Sequence, residues 1–140
     1  MANVVYSKAK ERALTNDGIQ WSTGDIKAVL VTETDAGGDN YAFSAAHEFL
    51  SSIDANARVA TSGNLASKSV TNGVADAASV TFTAVTGHQC DCVVLYRDTG
   101  DPATSELIAY IDSATGLPVT PNGGDITIEW DTGANKIFAL

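Results

Sequence analysis

The sequence predicts an all-β domain, an antiparallel β-sandwich or barrel-like fold with a short N-terminal helix or arm and one short internal helix. Three observations carry this expectation. Val80-Thr81-Phe82-Thr83-Ala84-Val85 and Ile126-Thr127-Ile128-Glu129-Trp130 alternate apolar and polar residues, the period of a strand with one dry and one wet face. Turn-forming residues punctuate the chain at Asn72-Gly73, Thr99-Gly100, Asn122-Gly123-Gly124 and Thr132-Gly133, and these accept the backbone angles of tight hairpins. Short strand-like segments also recur at roughly regular spacing, the pattern of sandwiches and barrels.

In chain order, residues 4–14 are the best helical candidate. Asn3 is placed to cap them, Val5, Ala9 and Ala13 recur at i, i+4, and Asn16-Asp17-Gly18 supplies a stop. The stripe is narrow and mostly alanine, so this helix buries little area and belongs on the domain's edge or against another subunit. Strands are expected over residues 26–32, 58–61, 67–71, 80–85, 90–98, 106–112, 125–130 and 136–140. A short helix over residues 45–53 is capped by Ser44, with Phe49, Leu50 and Ile53 facing inward. Residues 35–40, Asp-Ala-Gly-Gly-Asp-Asn, read as the most flexible loop. The close, Ile137-Phe138-Ala139-Leu140, is too apolar for a frayed tail and predicts pairing into a sheet or interface. The expected organisation is an N-terminal helix or arm over residues 1–17 and one β domain over residues 18–140.

Size and charge bound the function. At 140 residues the chain buries about 68–70% of its unfolded surface, so its core needs neither metal nor disulfide. The 44% hydrophobic content is that of a globular protein. The longest apolar run, Cys92 to Tyr96, is far short of the roughly 20 residues that span a bilayer. The opening residues carry Lys8, Lys10, Glu11 and Arg12 and lack the apolar core of a secretory signal. A net charge of −9 opposes binding to nucleic acid or to anionic membranes. Lys8, Lys10 and Arg12 cluster against this balance, either as a solvated helix face or as a dock for an acidic partner.

Catalytic and metal signatures are sparse. His88, Cys90 and Cys92 alternate along one expected strand, which places the two sulfur-bearing residues roughly 6.6 Å apart and the outer pair roughly 13 Å apart. One zinc ion with ligands at about 2.0–2.3 Å does not hold both ends of that row, and an i, i+2 disulfide on a flat strand is strained. Two buried thiols in a sheet, in a reducing compartment, are therefore expected, with no cofactor. His47 reads as a surface or boundary histidine, and His88 with Cys90 point in parallel and form no dyad. Asp98, Asp101, Asp112, Asp125 and Asp131 fall in turns. There carboxylates bond the local backbone, although Asp98 and Asp101 could also offer oxygens to calcium. Asn122-Gly123-Gly124-Asp125 precedes a strand, so it presents no helix N-terminus to a phosphate.

The stretch from Leu107-Ile108-Ala109-Tyr110-Ile111-Asp112 through Gly116-Leu117-Pro118-Val119-Thr120-Pro121-Asn122-Gly123-Gly124-Asp125-Ile126-Thr127 resembles small structural proteins of tailed bacteriophages. The likeness continues through Glu129-Trp130-Asp131 and Lys136-Ile137-Phe138, and upstream in Tyr6-Ser7-Lys8-Ala9-Lys10, Ile26-Lys27-Ala28-Val29-Leu30-Val31, Ala45-Ala46-His47-Glu48-Phe49-Leu50 and Asn72-Gly73-Val74-Ala75-Asp76-Ala77. It covers nearly the whole chain, most strongly after residue 70. Cys90-Asp91-Cys92 departs from that pattern. The resemblance implies a virion structural protein without enzymatic activity, most like head decoration (capsid cement) proteins. Such a protein is made in the host bacterial cytoplasm, binds the outer face of the expanded shell and bridges neighbouring capsomers, as a homotrimer. Its partners would be the major capsid protein and other copies of itself, with contacts at Tyr6, Lys8, Lys10, Arg12, Phe138 and Leu140. The alternative is a minor tail or tail-fibre-associated protein that attaches to other virion proteins or to a host receptor. A glycan receptor would need stacking aromatics, for which Trp21, Tyr41 and Tyr96 are candidates.

Overall fold

The computed structural model describes residues 3–15, 18–34, 40–131, 133 and 136–139. The strands are β1 (Val4–Val5), β2 (Ile26–Val31), β3 (Arg58–Thr61), β4 (Ser69–Thr71), β5 (Val74–Asp76), β6 (Val80–Phe82), β7 (Cys92–Arg97), β8 (Glu106–Ile111), β9 (Ile126–Ile128) and β10 (Phe138–Ala139). One α-helix, α1 (Ser7–Ala13), and one 3-10 turn, Leu50–Ser52, complete the elements among the described residues. All pairings are antiparallel. The largest sheet runs β1-β8-β7-β2-β3, a second runs β10-β5-β4, and β6 pairs with β9. None of these sheets closes on itself, so the expected sandwich-like all-β fold is present and the barrel form is not.

The large sheet is the body of the core. Val29 lies opposite Val94, and Val94 opposite Tyr110; directly opposed residues share a face. Ala28, Leu95 and Ala109 form the other face. All six are buried, so this sheet is dry on both sides. The single wet face expected from period-2 alternation does not apply to it, because Ala28-Val29-Leu30-Val31 and Val93-Val94-Leu95 are continuous apolar runs that never alternate. Each fully buried Leu, Ile or Val contributes about 1.5–3 kcal/mol relative to exposure. The β6–β9 pair does alternate. Val80, Phe82, Ile126 and Ile128 are buried, while Thr81 and Thr127 face solvent and join hydroxyls at 3.0 Å.

Three expectations are corrected at element boundaries. The helix begins at Ser7 instead of residue 4, because Val4 and Val5 pair with Tyr110 and Ala109. β-Branched residues suit that edge better than a helix. Asn3 is not a helix cap: its Oδ1 accepts from the amides of Asp112 (3.1 Å) and Ser113 (3.2 Å). The helix expected over residues 45–53 shrinks to the 3-10 turn, since the backbone of Glu48 and Leu50 bonds Leu107 and Ser105 along the outer edge of β8. Sheet hydrogen bonding there overrides local helical preference. β5 was not anticipated as a strand, but its turn was. Asn72 (φ 51°) and Gly73 (φ 79°) both adopt the positive angles of a type I′ hairpin. The expected loop of residues 35–40 lies outside the described residues except for Asn40, as do Asn16, Asp17, Thr132 and Leu140.

Candidate functional site

The six expected contact residues separate into buried, paired and exposed groups. Tyr6 is fully buried, with its hydroxyl 2.8 Å from that of Tyr41. It presents no surface to a partner. Arg12 is largely buried against β8: its Nε lies 2.8 Å from Glu106, and a terminal nitrogen donates to the Leu107 carbonyl at 3.3 Å. Lys8 pairs with Glu11 at 3.1 Å one helical turn on, partly exposed, and Lys10 is exposed. Phe138 is buried, and its backbone pairs with Ala75. Leu140 lies outside the described residues. The N-terminal residues are thus part of the fold: β1 closes the edge of the large sheet, and Ala9 is the buried residue on the inner side of α1.

The two ends nevertheless meet. Ala13 at the end of α1, Ile19, Trp21, Val70, Ala75 and Phe138 line one apolar groove of about 230 Å³. Its floor is rigid. Trp21 meets Phe138 edge-on with ring centroids 5.3 Å apart, and the Trp21 indole nitrogen donates to the Asp76 carbonyl at 3.1 Å. On the rim Val70 is 52% exposed, and Leu14, next to Ala13, is 91% exposed. These are the large hydrophobic residues left in solvent among the described residues; Val70 lines the groove, and Leu14 follows the groove residue Ala13 in the chain. Patches of this kind mark interaction surfaces. The sequence marks Phe138 as a contact candidate but not Leu14 or Val70. The available signals were a bulky leucine beyond an alanine stripe, and a lone valine in the polar hairpin Ser69-Val70-Thr71-Asn72.

Elsewhere the polar residues serve the fold. Cys90 and Cys92 are buried free thiols. Burial pushes Cys90 up to about 11, and burial followed by the nearby Glu33 carboxylate raises Cys92 further; neither is primed as a thiolate. His88 is exposed on a bend, and its carbonyl accepts from Cys90 Sγ at 3.7 Å. Asp98 binds the Lys27 ammonium at 2.6 Å and accepts from the Gly100 amide at 3.0 Å, so Lys27 first, then that amide, holds its carboxyl below the usual range. Asp101, Asp125 and Asp131 accept from the amides of Ala103, Ala84 and Gly133 respectively. Among the described residues no group of three His, Cys, Asp or Glu side chains is placed to hold a metal, and no helix is long and apolar enough to cross a membrane. Trp21, Tyr41 and Tyr96 are all buried, so none of them offers an open face for stacking on a sugar.

Comparison of the sequence with known protein families and with curated proteins finds no match.

Proposed function

We propose that this chain is a virion structural protein that decorates the outside of a bacteriophage head, seating the apolar groove between α1, β4 and β10 on the major capsid protein. The observation that supports this most is the groove itself. It draws the end of the N-terminal helix and the C-terminal strand, the two segments expected to make contacts, onto one exposed apolar surface. A compact domain with a net charge of −9 suits the outer shell and not the DNA-lined interior. Bridging is mechanical: each bound copy adds free energy to capsomer separation, and many copies on a repeating lattice act together with modest individual affinity. The virion-tail alternative has less support, because its sugar-stacking candidates are buried.

Co-sedimentation of the purified chain with expanded heads that lack it tests the proposal. Val70→Asp places a charge on the groove's exposed rim, and Leu14→Asp places one on the exposed residue that follows Ala13, so both variants are expected to stay folded and to lose head binding. Full binding by both would remove the groove from the contact.

A further inference from the structure

We infer that Asn72 is a site of spontaneous backbone modification, where the side-chain amide is lost to give aspartate and isoaspartate, and that Asn122 is held against the same reaction. Both residues are exposed, and each is followed by a glycine at positive φ, 79° at Gly73 and 88° at Gly123. Glycine hinders attack by its own nitrogen least, since it carries no Cβ. The two sites differ in how the glycine nitrogen and the asparagine side chain are held.

The reaction is intramolecular and consumes only water. The glycine nitrogen attacks Cγ of the asparagine, the bond from Cγ to the side-chain amide nitrogen breaks, and ammonia leaves with the glycine N–H proton. One water then opens the resulting five-membered succinimide. Opening at the side-chain carbonyl gives aspartate; opening at the backbone carbonyl gives isoaspartate, in which the chain runs through Cβ. The ring closes only when the backbone leaves its turn geometry and brings the glycine nitrogen to Cγ. Any hydrogen bond on that nitrogen or on the side chain has to break first.

At Asn122 such bonds are in place. The Gly123 amide donates to the Val85 carbonyl at 2.8 Å, and the Val85 amide donates to the Gly124 carbonyl at 3.0 Å. Asn122 Oδ1 accepts from the Gly124 amide at 2.9 Å, which holds the side chain. Asp125 is tied to the Ala84 amide at 3.0 Å, and β9 follows with Ile126 and Ile128 buried. At Asn72, among the described residues, no hydrogen bond reaches the side chain or the Gly73 nitrogen. The turn is closed by the pairing of Thr71 with Val74. β4 is the outer strand of its sheet and is exposed throughout, and edge elements of this kind open locally at little cost.

Isoaspartate adds a carbon to the backbone of a tight turn whose length sets the register of β4 on β5. That register places Val70 opposite Ala75, two residues that line the apolar groove. A new carboxylate also appears at the hairpin tip. Ageing at Asn72 therefore takes down one wall of the groove. The site stands whether or not the groove seats a capsid protein.

Peptide mapping by mass spectrometry tests the inference. The folded chain is kept at mildly alkaline pH, which favours attack by the glycine nitrogen, and is sampled over time beside the same chain in urea. In urea the two asparagines are expected to convert at similar rates. In the folded chain Asn72 is expected to convert roughly tenfold faster than Asn122, since two further hydrogen bonds must break at Asn122. Equal rates in the folded chain, faster conversion at Asn122, or conversion of neither while the urea sample converts would overturn the inference. The modified fraction carries extra negative charge and separates by anion exchange. It is expected to unfold at lower urea than fresh chain, and an unchanged midpoint would contradict the disruption of the hairpin.

Discussion

Arg12→Met separates the charges of α1 that hold the fold from those left in solvent. Arg12 Nε and Glu106 Oε2 are 2.8 Å apart, with side chains 13% and 20% exposed, and the Leu107 carbonyl takes a further bond at 3.3 Å. Methionine retains much of the apolar stem, so the loss is chiefly polar. Removing one partner of a buried ion pair costs about 3–5 kcal/mol when the other charge is stranded. Glu106 is not stranded, because Arg97 lies 3.0 Å from the same oxygen. The expected cost is therefore that of one charge-assisted hydrogen bond, about 1.5–3 kcal/mol. With an unfolding entropy of roughly 2.1 cal/mol/K per residue over 140 residues, a loss of about 2 kcal/mol lowers Tm by roughly 7 °C. Thermal unfolding followed by circular dichroism measures it. Adding Arg97→Met leaves Glu106 without either guanidinium, so the double variant should lose more than the sum of the two singles. A drop below about 2 °C for the single change, or strict additivity in the double, would refute this assignment. Lys8→Ala and Lys10→Ala, on the exposed face, should each stay within about 0.5 kcal/mol of the native chain.

Further outcomes follow from single sites. Gly116 has φ +106°, and a Cβ there would lie 2.7 Å from the Thr127 carbonyl. Gly116→Ala should therefore destabilise by more than about 1 kcal/mol in urea titration, and a neutral result would contradict the close approach. The Asp98 carboxyl is held low in the fold by Lys27, so its contribution to stability is complete above the unfolded value of about 3.9 and is lost as pH falls below it. Asp98→Asn should flatten that acid limb in a stability–pH profile, and an unchanged limb would assign the acid sensitivity elsewhere. Cys90 and Cys92 are buried with raised pKa, so both thiols should react with a disulfide reagent at neutral pH only as fast as the fold opens. Rapid stoichiometric modification of native protein would show that the sheet around them is not closed.

The fold was legible wherever a local rule and the tertiary structure agree. Asn72-Gly73 demanded a tight hairpin and formed one, and the alternation of Val80-Thr81-Phe82 and Ile126-Thr127-Ile128 matched a strand pair with one buried and one solvated face. The failures lie where long-range pairing decides. Val4 and Val5 fit a helical stripe until the open edge of β8 takes them, and Phe49 and Leu50 fit a helix until Glu106 and Ser105 claim the neighbouring backbone. The site was half legible for the same reason. Phe138 stood out as an apolar residue near the chain's end, but that it shares a groove with Ala13 and Val70 is a property of the packing. Tyr6, an aromatic beside three cations in the sequence, was expected at a contact; its hydroxyl instead turns inward to Tyr41.

Antibody–gold labelling of purified phage particles from the source of this chain, viewed by electron microscopy, tests the proposed role most directly. Decoration predicts gold spread evenly over the heads. Gold confined to the tail or its tip, or particles that bind none, would contradict it.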